Sequence, residues 1–221
     1  MHGLKQLAEK HQQPPTDAFR WLCLNDLYFL LRYALNRPDC DNDWVFERCR
    51  EVQADPDDRL DLWFREGYKS TIITFALTIQ DILKDPDITI GLASHTRPIA
   101  KAFLRQIKRE FEGNETLKAW FPDILYANPQ KESPKWSEDD GIVVIRKSNP
   151  KEATIEAWGV VDGQPTSKHY KLLVYDDIVT RESVTSPEMM AKTTDALALS
   201  YNLGAHGGRR RFIGTRYHYN D

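Results

Sequence analysis

A chain of 221 residues, 41% hydrophobic and 29% charged, is long enough for one large domain with a sizeable core. A net charge of -3 excludes a standing nucleic-acid binder of the basic kind, so any contact with DNA has to be local or transient. Cys23, Cys40 and Cys49 form no C-x-x-C pair and have no histidine at metal spacing, which predicts free thiols in a reducing compartment; with no basic n-region followed by an apolar h-region no secretion leader is expected, and the apolar runs are too short to span a bilayer.

Residues 1–55 read as helical. Apolar residues from Phe19 and Leu22 through Leu27, Leu30, Leu31 and Leu35 recur at helical spacing, after a start signal at Pro14-Pro15-Thr16 and before a stop at Asn36-Arg37-Pro38. A second helix is predicted at residues 44–49. Asp55-Pro56-Asp57-Asp58 then turns the chain into an apolar strand over residues 59–64.

From there strands and helices alternate, which argues for a parallel α/β sheet. A helix is expected over residues 70–83, a strand over 88–94 and a helix over 98–111. The last has Ile99, Ala102, Phe103 and Ile107 on an apolar face and Lys101, Arg105, Lys108 and Arg109 on a basic one. That basic face reads as solvated rather than as a contact for DNA or a neighbouring subunit. Residues 113–140 read as irregular. Residues 141–147 and 154–160 form a hairpin or paired edge, 171–177 a strongly apolar strand and 187–203 a helix. Gly207-Gly208 turns the chain into a last strand over 209–216, where Arg209 to Arg211 read as a solvated start.

Three motifs carry chemistry. The first is Arg65-Glu66-Gly67-Tyr68-Lys69-Ser70-Thr71, between a strand and a helix. Strand, loop, Lys-Ser and helix make a phosphate-binding loop, with backbone N–H groups and a helix N-terminus facing an anion, lysine reaching the β/γ-phosphates and the following hydroxyl on Mg²⁺. Trp63 and Tyr68 stand where the usual pattern has glycine, and only Gly67 supplies a positive φ cheaply. The second motif is the strand ending in Asp176-Asp177; such an acid pair holds Mg²⁺ and orients an attacking water. The third is Gly214-Thr215-Arg216, where Thr215 stands as a sensor of the γ-phosphate.

The order R-E-G-Y-K-S-T, L-L-V-Y-D-D-I-V and I-G-T-R-Y-H resembles the ATPase domain of the large terminase subunit of tailed bacteriophages, over roughly residues 44–221. That family tolerates loss of the glycine before the lysine and puts an arginine early in the loop, as Tyr68 and Arg65 do here. The resemblance implies a P-loop NTPase of the class with an additional catalytic strand: a mostly parallel central sheet flanked by helices (56–221), preceded by an N-terminal helical segment (1–55). It implies ATP hydrolysis with Mg²⁺, driving double-stranded DNA into a procapsid in the host cytoplasm. The implied partners are a portal protein, a small terminase subunit and other copies of the chain in a ring, with the chain alone a monomer.

The resemblance also implies roles. Residues 65–71 bind ATP, Lys69 at the β/γ-phosphates and Arg65 at the γ-phosphate. Ser70 and Asp176 hold Mg²⁺, Asp177 orients the water where the family usually has Glu, and Thr215 and Arg216 couple the emptied site to movement. Lys168 and Arg146 are candidates for a basic finger reaching a neighbouring subunit. Adenine is expected near the entrance of strand 59–64, against the helix bearing Trp44 and Arg48. The family's C-terminal nuclease domain is expected to be absent. Two alternatives stay open: a degenerate loop serving as a docking platform, and a related helicase stimulated by bare DNA.

Overall fold

The computed structural model describes residues 15–215. Helix α1 (Pro15–Asn25) begins at the predicted proline, but the single helix expected to reach Leu35 is two. Asp26 leaves the helical region (φ -132°), and its carboxylate accepts from Phe29 N at 2.9 Å. It thereby caps a new short helix, α2 (Leu27–Phe29), which winds on as a π-helical turn, Leu30–Ala34. A cap of this kind competes with the backbone ladder and outweighs periodicity. Asn42 caps α3 (Asp43–Ala54) in the same way, accepting from Val45 N at 3.0 Å.

The chain then alternates. Strand β1 (Arg59–Leu62) leads through a loop into helix α4, π-helical over Ser70–Leu77 and α-helical over Thr78–Lys84. Strand β2 (Ile90–Ser94) is followed by α5 (Arg97–Gly113). The stretch expected to be irregular holds two short helices, α6 (Glu115–Trp120) and α7 (Pro129–Glu132). Strands β3 (Trp136–Ser137), β4 (Gly141–Ile142), β5 (Ile155–Gly159) and β6 (Tyr170–Asp176) come next. Helix α8 (Pro187–Ser200) and strand β7 (Gly204–Gly214) complete the order.

The seven strands form one sheet in the order β1-β7-β6-β2-β5-β4-β3. The first five are mutually parallel, and β4 and β3 add an antiparallel edge. Helices flank both faces. Along β6, Leu172 and Val174 enter the larger core with α4, α5 and the N-terminal helices, while Leu173 and Tyr175 enter a smaller one under α8. A strand buried on both faces has to be apolar nearly throughout, which is why β6 was legible as a strand. The N-terminal helices share the larger core with the sheet.

Three expectations are corrected. The buried stripe of α5 is Ala100, Leu104, Ile107 and Phe111, not one running through Ile99 and Ala102, which are exposed. Its basic face is largely neutralised: Arg97 and Lys101 pair with Asp139 (3.1 and 2.9 Å), Arg105 with Glu138 (2.6 Å) and Lys108 with Glu112 (2.8 Å). Gly207-Gly208 does not precede the last strand. It lies in an irregularity of β7, where the register to β6 jumps from Tyr170↔Gly204 to Leu172↔Arg209. Arg211, expected at a solvated strand start, is 1% exposed. Its Nε donates to Asp57 (2.8 Å) and Pro56 O (3.0 Å), and its Nη1 to Asp81 (2.5 Å).

Candidate functional site

Because five strands run parallel, their carboxyl ends gather along one edge, the usual location of ligand sites in open α/β sheets. The loop 63–69 leaves β1 there, Asp176 ends β6 there, and Thr215 follows β7 there. Strand β7 lies between β1 and β6, with Gly214 level with Leu62 and Ile213 level with Asp176. A connection through helices and further strands has thus brought the Lys-Ser loop and the acid pair to either side of one strand.

The loop is held in an unusual backbone shape. Glu66 (φ 64°) and Tyr68 (φ 63°) are both left-handed, and Gly67 between them is not. The expectation that Gly67 supplies the positive φ is therefore overturned. Gly67 serves close approach instead: an added Cβ would lie 3.0 Å from the Phe64 carbonyl oxygen, to which its own N–H donates at 3.2 Å. Left-handed non-glycine residues cost roughly 1–2 kcal/mol each. Contacts from the N-terminal helices offset this. The Tyr68 hydroxyl donates to Asp39 O (3.1 Å), and the Trp44 indole N–H donates to Gly67 O (3.1 Å). Trp44 packs against Phe64 (ring centroids 5.0 Å) and edge-on to Trp63 (6.2 Å), with the Arg48 guanidinium 4.9 Å over its ring. An aromatic patch, with Phe64 exposed, thus flanks the loop.

Lys69 and Ser70 pass directly into the π-helical start of α4. Asp176 is fully buried opposite them. Burial pushes its carboxyl up to about 6; the Thr74 hydrogen bond pulls down, the neighbouring Asp177 charge pushes up, and the Ser70 hydroxyl and Lys69 charge pull down. Lys69, Ser70 and Asp177 thus each lie close enough to Asp176 to bias its charge. The Thr74 hydroxyl donates to Asp176 Oδ2 at 2.5 Å. Asp176 Oδ1 is buried and has no hydrogen-bond partner among the described residues.

No protein-family model and no curated protein matches this chain.

Asp177 stands just past β6 in a left-handed conformation (φ 50°). Its N–H donates to Ile213 O (3.1 Å), and its carbonyl accepts from His95 N (3.3 Å) and Ser94 Oγ (3.5 Å). The buried His95 ring places Nδ1 3.0 Å from Ile178 O, a pure acceptor, so Nδ1 carries the proton. Ser94 and His95 thus brace the turn after β6 from the carboxyl end of β2.

Among the other predicted site residues, Arg65 and Glu66 lie on the exposed side of the loop, Thr71 is half-buried on α4, and Thr215 is half-buried past β7. Arg216 lies outside the described residues, as do Tyr217 and His218. Lys168 and Arg146 sit near the amino ends of β6 and β5, at the other edge of the sheet. Both make internal contacts, Lys168 with Glu156 (3.0 Å) and Arg146 with Glu152 O (3.1 Å).

The residues that fit a divalent cation are few. Among the described residues no three His, Cys, Asp or Glu side chains cluster as a metal cage. A Mg²⁺ carried in by a triphosphate needs only one or two protein oxygens, and the Asp176 oxygen without a partner beside the Ser70 hydroxyl matches that demand. The same edge also carries an apolar groove of about 360 Å³ lined by Leu60, Leu62, Leu197, Tyr201 and Phe212. Without a charged lining side chain, the groove is unsuited to a phosphate. Among the described residues no helix is long and apolar enough to cross a membrane.

Three residues of this arrangement were not singled out from the sequence: Thr74, Ser94 and His95. Thr74 carried a signal, since it lies one helical turn after Ser70 and shares its face. Ser94 and His95 carried only their position at the end of a predicted strand.

Proposed function

We propose that this chain is a P-loop ATPase of the class with an additional catalytic strand, the motor domain of a DNA-packaging terminase that hydrolyses ATP to drive double-stranded DNA into a procapsid. One observation carries the reading: a Lys-Ser loop and a strand-terminal acid meet at the carboxyl edge of a parallel sheet, and among the described residues the acid keeps one buried oxygen without a partner. Insertion of β7 between their two strands supports it, because that is the place for a strand bearing a γ-phosphate sensor.

In this reading the amides of residues 68–70 and the Lys69 ammonium bind the β/γ-phosphates, the Gly67 N–H being taken by Phe64 O. Mg²⁺, when bound, would be held by Ser70 and Asp176 and supplies charge neutralisation at the phosphate oxygens. Asp177 orients the water whose oxygen bonds to the γ-phosphorus as the bond to the ADP oxygen breaks. Arg65 contacts the γ-phosphate, and Thr215 with Arg216 couples its loss to movement. Adenine rests against the Trp44 and Phe64 patch. A portal protein, a small terminase subunit and further copies in a ring are the partners, in the host cytoplasm, with Lys168 or Arg146 as a finger in trans.

Steady-state ATP turnover of the chain, with and without Lys69→Ala, tests the reading. Loss of the lysine is expected to lower kcat by about 10²–10³, the scale of removing one preorganised charge donor. Turnover indifferent to Lys69 would sink it. A docking platform is the second reading, favoured by the non-glycine residues at both left-handed loop positions; it predicts no Lys69-dependent turnover at any protein concentration. Stimulation by bare DNA would instead favour a helicase.

A further inference from the structure

Helix α4 addresses the end of β6 through hydroxyls. Thr74 is fully buried, and its Oγ1–H donates to Oδ2 of Asp176. A threonine within a helix commonly turns its hydroxyl back to a carbonyl of the preceding turn. Here it reaches across to the sheet instead. The helix is π-wound over Ser70–Leu77, a distortion that recurs at functional sites. Ser70 lies one turn before Thr74 on the same helix face, and Thr74 is the one that hydrogen-bonds the carboxylate.

The two carboxylate oxygens are thereby made unequal. A carboxylate free to turn could offer a cation either oxygen, or both. With Oδ2 engaged by a β-branched side chain packed in the core, only Oδ1 lacks a partner among the described residues. We propose that Thr74 is a positioning residue for a divalent cation: it holds Oδ2 of Asp176 and so presents Oδ1 alone, beside the Ser70 hydroxyl, to a Mg²⁺ arriving with a triphosphate. This rests on the nucleotide-binding reading above. Partners that orient a metal-ligating carboxylate typically change metal affinity 10–100-fold when removed.

The test is equilibrium binding of the non-hydrolysable analogue AMP-PNP to the full chain by calorimetry, in EDTA and in Mg²⁺. For Thr74→Val, isosteric without the hydroxyl, the tightening brought by Mg²⁺ is expected to shrink about tenfold or more, with affinity in EDTA unchanged. Thr74→Ser is expected to restore the tightening. Full Mg²⁺-dependent tightening in Thr74→Val would overturn the proposal. So would an equal loss in EDTA and Mg²⁺, the mark of a merely structural role. If Thr74→Val loses the wild-type circular dichroism spectrum, Thr74→Ala carries the same comparison with the same two overturning results. Wild-type chain that binds no AMP-PNP would overturn the nucleotide reading as well; wild-type tightening that survives loss of the hydroxyl would overturn this inference alone.

Discussion

Helix α4 makes two buried polar contacts with the sheet, and they are built in opposite ways. At its start Thr74 donates to Asp176, whose second oxygen has no partner among the described residues. About two turns further along, Asp81 meets Arg211, which also binds Asp57; Arg209 pairs with Asp57 at 2.8 Å and approaches Asp81 at 3.9 Å. The second cluster balances two arginines against two aspartates, and among the described residues Arg211 Nη2 is its buried atom without a partner. The first leaves an acid with a neutral donor and a raised pKa. A buried charge matched by its counter-charges ties elements together; a buried carboxylate left short of partners costs stability.

The contrast can be broken at either cluster. The largest effect is expected from Arg211→Ala, which strands Asp57 and Asp81 without their main counter-charge. Breaking one side of a buried pair costs about 3–5 kcal/mol, to be read from urea denaturation. A loss below about 1 kcal/mol would mean that the cluster holds nothing together.

Asp176→Asn should act in the other direction. The folded-state pKa of Asp176 lies near 6, above its unfolded value, so the folded chain keeps a proton that the unfolded chain has lost. Stability from this group is present at low pH and disappears as pH rises through about 6. Above pH 7 Asp176→Asn should therefore stabilise the ligand-free chain, by on the order of 3 kcal/mol, and below pH 4 hardly at all. A pH-independent effect, or destabilisation at pH 8, would contradict the contrast drawn here.

The smallest effect is expected in the loop. Glu66 is exposed and left-handed, so Glu66→Gly should relieve strain and raise the melting stability by roughly 1 kcal/mol. A drop instead would show that the Glu66 side chain holds the loop.

Much of the fold was legible. Strands buried on both faces read as apolar runs, and the alternation of strand and helix announced a parallel sheet. The two stretches that meet at the candidate site were also singled out from the sequence, because Lys69-Ser70 and Asp176-Asp177 are local patterns; that they meet was not legible locally. The buried stripe of α5 was misplaced because the helix carries apolar residues on more than one side, and only its neighbours decide which are covered. The split at Asp26 was missed because a capping side chain outweighed helical periodicity. Arg211 was misread because two aspartates distant along the chain neutralise it, and no local window contains all three residues.

Residue types along the chain determined which segments become strands or helices, since propensity, periodicity and turn chemistry act over a few neighbours. Tertiary structure alone decided that β7 enters between β1 and β6, that Tyr68 rather than Gly67 takes the left-handed turn, and that Thr74 occupies one oxygen of Asp176 and leaves the other without a partner. Those outcomes depend on desolvation and on contacts between segments far apart in the chain, and such terms exist only once the core has closed.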